Sequence, residues 1–376
     1  MQDLKIGTIP TLSANRTINL LANMYAKVIN NNKSINTLPS VMLWGPPGIG
    51  KSQSVKQIAS IIESETKKKV NVTDVRLILF NPVDLRGIPT SNVDKTLAVW
   101  LKPKIFDMDS SNDCINILFL DEISAAPQSV QAAAYQIVLD KTIGEHKLPD
   151  NCIVLAAGNR VTDKSVAYQM PKALANRLLH IEMEASFDSW NAWAIKNDIH
   201  PYVLGFLKFR ESYLNNFNPQ TSDLSFATPR SWEMVSNILN NVSSNIDEVY
   251  ELIAGLVGKS VASEFKRWTR CFSKLPSIED IFDGKNAIVP TETDVLYALT
   301  TSMLSYAKNH KSDLTRIENS INYATRIQSD FALVLLKDYM YIDKDMKSKL
   351  IRIPAYNTWL KKQGRLLDEA NGMEFN

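Results

Sequence analysis

Cysteine is scarce in this chain. Cys114, Cys152 and Cys271 stand far apart among 376 residues, which excludes a disulfide framework and a clustered zinc-thiolate pattern. Two of them sit in apolar runs and read as small core residues, so a reducing, cytoplasmic setting is expected. Net charge is also nearly absent. With 42 basic and 40 acidic residues the chain carries +2 at pH 7, no global field to draw it to nucleic acid or an acidic membrane. No apolar run approaches the roughly 18 residues that would span a bilayer. The lead-in from Met1 to Pro39, with Asp3 and Lys5, lacks the apolar centre of a signal peptide. Internal repeats and low-complexity segments are missing too. What remains is an ordinary globular composition, 45% hydrophobic and 22% charged, long enough for roughly two or three domains and a sizeable core.

The information is concentrated in Val41–Ser52, VMLWGPPGIGKS. Val41 to Trp44 reads as a buried strand. G-x-x-x-x-G-K-[ST] follows, filled by Gly45, Gly50, Lys51 and Ser52, and then an amphipathic helix with Val55, Ile58, Ala59 and Ile62 on one face. Strand, glycine-rich loop and helix in that order form the context of a phosphate loop. The glycines let backbone N–H groups turn toward an anion, and the helix N-terminus adds roughly half a positive charge. The candidate nucleotide-binding residues are Gly45, Pro46, Pro47, Gly48, Ile49, Gly50, Lys51, Ser52 and Gln53. Lys51 reaches the β- and γ-phosphates of ATP, and the Ser52 hydroxyl is a Mg2+ ligand. A plain Gly/Pro turn would explain the glycines but not the lysine and serine in this context.

A second constellation ends the apolar run Ile115–Leu120. Asp121 and Glu122 stand where a buried parallel strand opens into the ligand crevice of an α/β sheet. Asp121 is expected to hold the metal with Ser52, and Glu122 to orient or deprotonate an attacking water. The competing reading, an acidic pair facing solvent, loses because the phosphate loop is present. Asn159 ends another buried run, Ile153–Ala157, where its amide suits the attacking water or the γ-phosphate; a turn asparagine is equally common there. Arg177 and Arg230 are candidate charge stabilisers for phosphoryl transfer, each with a surface ion pair as the plain alternative. Arg230 follows Thr228 and Pro229, a good N-cap and first helical residue, so it opposes the helix dipole.

Between these motifs, helices are expected over Ile18–Ile29, after Pro127 and in a short turn opened by Pro171, and strands over Val75–Phe80 and Leu178–Met183. The basic run Lys67–Lys69 reads as a solvated helix end. Thr96–Leu101 belongs to a hairpin. Beyond about Glu184 the alternation of strand and helix stops. Tyr202–Phe217, Leu252–Trp268, Thr293–Tyr306, Leu314–Ile327 and Asp330–Met340 carry helical periodicity. The expected architecture is an α/β nucleotide-binding domain over residues 1–185 and a helical region, lid plus extension, over 186–376.

Together these segments resemble the AAA+ ATPases, and more narrowly the MoxR family, well over about the first 240 residues and loosely beyond. GPPGIGKS looks like the Walker A motif and ILFLDE like Walker B. LAAGNR is similar to the sensor 1 strand, MPKALANRL to the arginine-finger segment and SFATPRSWEMV to the sensor 2 helix. NPVDLRGIP with VWLKP resembles the region of the helix 2 insert. The resemblance implies that Asn159 is the sensor, Arg177 the finger and Arg230 the lid arginine. Arg160, beside Asn159, is a rival trans-acting arginine, and Leu178 replaces the commoner phenylalanine. The resemblance further implies a homo-oligomeric, usually hexameric, ring with ATP and Mg2+ at subunit junctions. It also implies a von Willebrand factor A domain partner and chaperone-like remodeling of a protein client, with Trp100 in a client-facing hairpin or simply packed in it. The competing functions are a nucleic-acid motor or loader on the same core, which the balanced charge and the lack of basic runs with interleaved aromatics disfavour, and a slow nucleotide-gated scaffold.

Overall fold

The computed structural model describes residues 9–160, 170 and 175–361. The turn expected at Pro171 lies outside these residues up to position 174. The chain divides into two compact units, one comprising Met1–Ser186 with Phe217–Ser222, the other Phe187–Asn216 with Asp223–Asn376.

The first unit is α/β. In chain order it contains β1 (Thr11–Ser13), α1 (Ala14–Asn30), β2 (Val41–Trp44), α2 (Lys51–Thr66), β3 (Lys69–Arg76), α3 (Pro82–Arg86), β4 (Ile88–Ser91) and β5 (Ala98–Leu101). After these come β6 (Cys114–Asp121), α4 (Gln128–Asp140), β7 (Thr142–Ile143), β8 (His146–Lys147), β9 (Cys152–Gly158) and β10 (Leu179–Glu184). A six-stranded sheet runs β1-β10-β2-β9-β6-β3, with every pairing parallel. The period-2 alternation of side chains explains why its central strands read as unbroken apolar runs. Val41, Leu43, Ile117, Phe119, Ile153 and Leu155 face one core with α1 and α2. Met42, Leu118, Leu120, Val154 and Ala156 face the other with α3 and α4. Both faces are covered, so no polar alternation survives.

The edge strand departs from expectation. A strand over Val75–Phe80 is not what forms: β3 starts at Lys69, pairs with β6 along its length, and gives way to a 3-10 turn at Leu77–Leu79. Val72, Asp74 and Arg76 of this strand are exposed. An edge strand with one wet side lacks the apolar signature, so the polar half of β3 carries no strand pattern in the sequence. The basic run does mark the solvated end of a helix, and the strand begins within it. Lys67 is the left-handed cap of α2 at φ 60°, and Lys69 already belongs to β3.

The second unit is helical: α5 (Phe187–Lys196), α6 (Pro201–Phe209), α7 (Pro229–Asn241), α8 (Ile246–Val257), α9 (Lys259–Thr269), α10 (Ile278–Phe282), α11 (Thr293–Asn309), α12 (Leu314–Ala324), α13 (Ser329–Tyr339) and α14 (Met346–Ile351). Its centre is aromatic, with the ring of Phe206 5.5 Å from Trp232 and 5.3 Å from Phe265. Gly205 permits this packing, because a Cβ there would lie 2.6 Å from the Trp268 ring. Two expected helices are shorter than their periodicity. The pattern over Tyr202–Phe217 stops at Phe209. The pattern over Leu252–Trp268 is broken at Gly258, whose φ of 87° ends α8 before α9 begins. Apolar periodicity carries through both breaks because the helices on either side pack into the same core. Buried among them, Lys208 pairs with Asp338, whose other oxygen accepts from Asn191 at 3.0 Å.

Among the described residues, no helix is long and apolar enough to cross a membrane.

Candidate functional site: a phosphate loop at the strand ends

The carboxyl ends of three neighbouring strands build the site. In register, Trp44 of β2 lies opposite Gly158 of β9, and Leu120 of β6 opposite Ala156. The residues that follow, Gly45, Asp121 and Asn159, therefore emerge side by side, although the chain separates them widely.

The loop between β2 and α2 is shaped by its glycines. At Gly45, φ is 150°, and a Cβ would lie 2.5 Å from the Ile49 side chain and 2.7 Å from the Met183 carbonyl oxygen. Gly50 caps α2 in the left-handed region at φ 97° and offers no side-chain bond to the helix. The first-turn N–H groups of α2 are thus left without a side-chain cap, the arrangement that receives anions at helix N-termini. Ile49 anchors the loop in the core, 5% exposed. Pro46, Pro47 and Gly48 are half-buried, and Gln53 is exposed on the first turn of α2.

Lys51 is 9% exposed. Its ammonium donates to the Gly45 carbonyl at 2.6 Å, the Pro46 carbonyl at 3.0 Å and the Asn159 Oδ1 at 3.0 Å. One lysine thus spans the loop and the end of β9. The Ser52 hydroxyl donates to Asp121 Oδ2 at 2.8 Å, while Asp121 Oδ1 accepts the Glu122 N–H at 2.9 Å. Hydroxyl and carboxylate oxygens at this spacing are hard donors of the kind Mg2+ prefers. Asp121 also raises the pKa of Asp74 on the adjacent strand, after burial as the larger cause. Glu122, half-buried, holds a left-handed φ of 58°, a conformation that costs a non-glycine residue roughly 1 kcal/mol or more and concentrates at functional sites.

Two residues that the sequence reading missed hold this arrangement. The Ser124 hydroxyl, 2% exposed, accepts the Asn159 N–H at 2.9 Å. It fits because residue 158 is glycine: a Cβ there would sit 2.9 Å from Ser124 Oγ and 2.8 Å from the Met42 methyl. Gln131 of α4 donates to the Ser124 carbonyl at 3.2 Å and the Ala126 carbonyl at 2.9 Å. A buried hydroxyl two residues past an acidic pair was the available signal, but it has the same appearance as any core serine.

The arginines differ. Arg160 is tied to Glu182 of β10 within the same chain by an ion pair. Arg177 is exposed in the turn before β10 and has no ion pair among the described residues. Arg230 belongs to the helical unit, exposed in the first turn of α7, whose N-cap Thr228 accepts the Ser231 N–H. The half-buried Trp100 lies in the β4–β5 hairpin opposite Pro89, and its carbonyl oxygen bonds His146 at 2.8 Å.

A family model described as "ATPase family associated with various cellular activities (AAA)" matches residues 40–180. No curated protein matches the chain. Among solved structures, PCH-2 of C. elegans is 16% identical with a TM-score of 0.34, over 80% of this chain and 69% of that one. A RuvB mutant from Thermotoga maritima is 15% identical with a TM-score of 0.34, over 77% and 84%. NtrX from Brucella abortus is 12% identical with a TM-score of 0.37, over 95% and 70%. These likenesses are weak, and the assignment rests on the family match and the site. With lysine, serine and acidic pair gathered on the carboxyl ends of a parallel sheet, residues 40–180 form an AAA+ ATPase module, and the protein is an ATP-binding, ATP-hydrolysing enzyme.

Proposed function

We propose that this protein is a ring-forming ATP motor of the MoxR type that remodels a protein client together with a von Willebrand factor A domain partner. The observation that carries the ATP chemistry is the convergence of Lys51, Asn159, Ser52 and Asp121. On ATP binding, Lys51 exchanges its carbonyl and amide partners for phosphate oxygens, while the Gly45–Gly50 loop and the start of α2 surround the phosphate chain. Ser52 and Asp121 would hold Mg2+, which when bound would supply positive charge against that of the phosphates. Glu122 takes the proton of the attacking water, and Asn159, released by Lys51, orients that water or the γ-phosphate.

Charge developing on the γ-phosphate calls for a further cation. Arg177, exposed and free of ion pairs among the described residues, is the candidate supplied to a neighbouring protomer, a contribution worth about 10³–10⁵ in rate where it operates. The cis ion pair of Arg160 speaks against that rival. Arg230 acts from the helical region, 186–376, as the lid residue that senses the nucleotide. For the client, the hairpin offers better contacts than Trp100: Val93 and Leu97 are 99% and 66% exposed.

Two experiments test the reading. Arg177→Ala and Lys51→Ala proteins are expected to be inactive separately and to recover ATPase activity when mixed, since each then supplies what the other lacks. A mixture that stays inactive removes the shared site. Glu122→Gln is expected to retain ATP binding, to slow hydrolysis by about 10²–10⁴, and to copurify with client and partner in the presence of ATP. DNA, rather than a protein, raising turnover in a salt-sensitive way would move the assignment to a nucleic-acid motor.

A further inference from the structure

His180 sits at the second position of β10 and is bonded at both ring nitrogens. The Trp44 indole N–H donates to His180 Nδ1 at 2.9 Å, and His180 Nε2 lies 2.7 Å from the Ala175 carbonyl oxygen. The two rings stack with centroids 6.1 Å apart and planes 19° apart. The proton positions follow from the partners. An indole nitrogen only donates and a carbonyl oxygen only accepts, so Nδ1 carries the lone pair and Nε2 the hydrogen.

Both partners occupy telling places. Trp44 is the last residue of β2, directly ahead of Gly45 and the phosphate loop. The Ala175 oxygen also accepts the Leu178 N–H at 3.2 Å, closing a turn with Asn176 and Arg177 at its two central positions. The carbonyl that closes the Arg177 turn is therefore held by the imidazole, and the imidazole by the strand that carries the phosphate loop.

We propose that His180 is a positioning residue for Arg177, fixing the turn that presents this arginine by clamping the Ala175 carbonyl to Trp44. The proposal rests on the reading of Arg177 as the arginine given to a neighbouring protomer. The clamp explains how a long side chain on an exposed turn keeps one direction of approach. Misplacement of a charge-stabilising group by about 1 Å costs on the order of 10²-fold in rate.

Asparagine and glutamine dissect the two bonds. In His180→Gln, the amide nitrogen falls near the Nε2 position, so the bond to Ala175 is retained and that to Trp44 is lost. In His180→Asn, the amide oxygen falls near Nδ1, so Trp44 keeps its acceptor while Ala175 is out of reach. The proposal expects His180→Asn to lower kcat about 10- to 100-fold with unchanged affinity for ATP, and His180→Gln, which loses only the bond to Trp44, to lower it by no more than about 3- to 10-fold. Mixed with Lys51→Ala protomers, His180→Asn regains activity; mixed with Arg177→Ala protomers it does not, because both defects then lie on the donated side of the site.

Equal losses in the two variants, weaker ATP binding, or rescue by Arg177→Ala rather than Lys51→Ala overturns the proposal. The control separates it from the reading beneath it. If Arg177→Ala with Lys51→Ala recovers and His180→Asn with Lys51→Ala does not, the clamp alone is wrong. If the control pair stays dead, the shared site itself falls. Should His180→Asn fail to fold, Trp44→Phe keeps the ring and removes the indole donor. It is expected to lower kcat about 3- to 10-fold with the same complementation pattern, and wild-type activity in that variant overturns the clamp.

Discussion

The hydroxyl of Ser52 donates to the carboxylate of Asp121 at 2.8 Å across 69 positions of sequence. Ser52 lies in the first turn of α2 and Asp121 closes β6, and the adjoining ends of β2, β9 and β6 bring them together. A pair of oxygens so placed is what the proposed Mg2+ site requires. Ser52→Ala removes one oxygen while leaving the fold, because the half-buried hydroxyl bonds only Asp121 among the described residues. The expected result is a roughly 10- to 100-fold rise in the Mg2+ concentration for half-maximal ATPase activity, in line with the worth of a contact to a charged group. ATP binding measured in a chelator should not change. A variant with wild-type Mg2+ dependence removes Ser52 from the metal site.

Ser124 should matter more than its chemistry suggests. Its only role toward the site is to hold the Asn159 N–H at 2.9 Å. In Ser124→Ala that half-buried N–H loses its partner, which costs about 1 kcal/mol. Thermal melts should report the loss, and kcat should fall about 10-fold as Asn159 drifts from its place. Ser124→Cys, retaining a weak acceptor, should lie between.

The helical unit holds a different kind of dependence. Lys208 and Asp338 are 5% and 2% exposed and pair with each other. Lys208→Met leaves a buried carboxylate without its cation and is expected to cost about 3–5 kcal/mol in denaturant unfolding. Lys208→Met with Asp338→Leu should recover most of that loss, because two apolar residues replace the whole pair; Asn191, which donates to Asp338 at 3.0 Å, limits the recovery. A double variant as unstable as the single one would show that the pair stabilises beyond mutual neutralisation.

His200 makes stability depend on pH. Burial pushes its pKa down from the usual 6.5 to about 4, and Nδ1 caps α6 by accepting the Tyr202 N–H at 3.1 Å. The unfolded chain therefore takes up this proton at higher pH than the folded one. Its contribution is whole above about pH 6.5 and is lost as pH falls toward 4, on the order of 2 kcal/mol in that window. His200→Asn keeps a capping oxygen and does not titrate. Its stability relative to the wild type should rise as pH falls from 6.5 to 4; a constant difference would show that His200 is not the titrating group.

The α/β core was legible because β2, β6 and β9 are buried on both faces and leave continuous apolar runs, each leading directly into a candidate site segment. The phosphate loop, the acidic pair and the helix capped by Thr228 were readable for the same local reason: each depends on neighbours a few positions away. The edge strand β3 was not legible, since a strand with a wet side mixes Val72 with Asp74 and Arg76. Nor was the break at Gly258, where the apolar pattern runs on through a residue at φ 87° that separates two helices.

By itself, then, the amino-acid order determined that a triphosphate grip follows a buried strand, that carboxylates end another, and that the rest is helical. Those features arise from short-range periodicity and backbone freedom at glycine. Only tertiary structure decided which distant groups meet: Lys51 with Asn159, Ser124 with the N–H behind Gly158, Lys208 with Asp338, and Trp44 with His180. Such pairs are set by strand order and helix packing, and a lone serine, histidine or lysine carries no mark of its partner until the sheet and the helical core bring the two together.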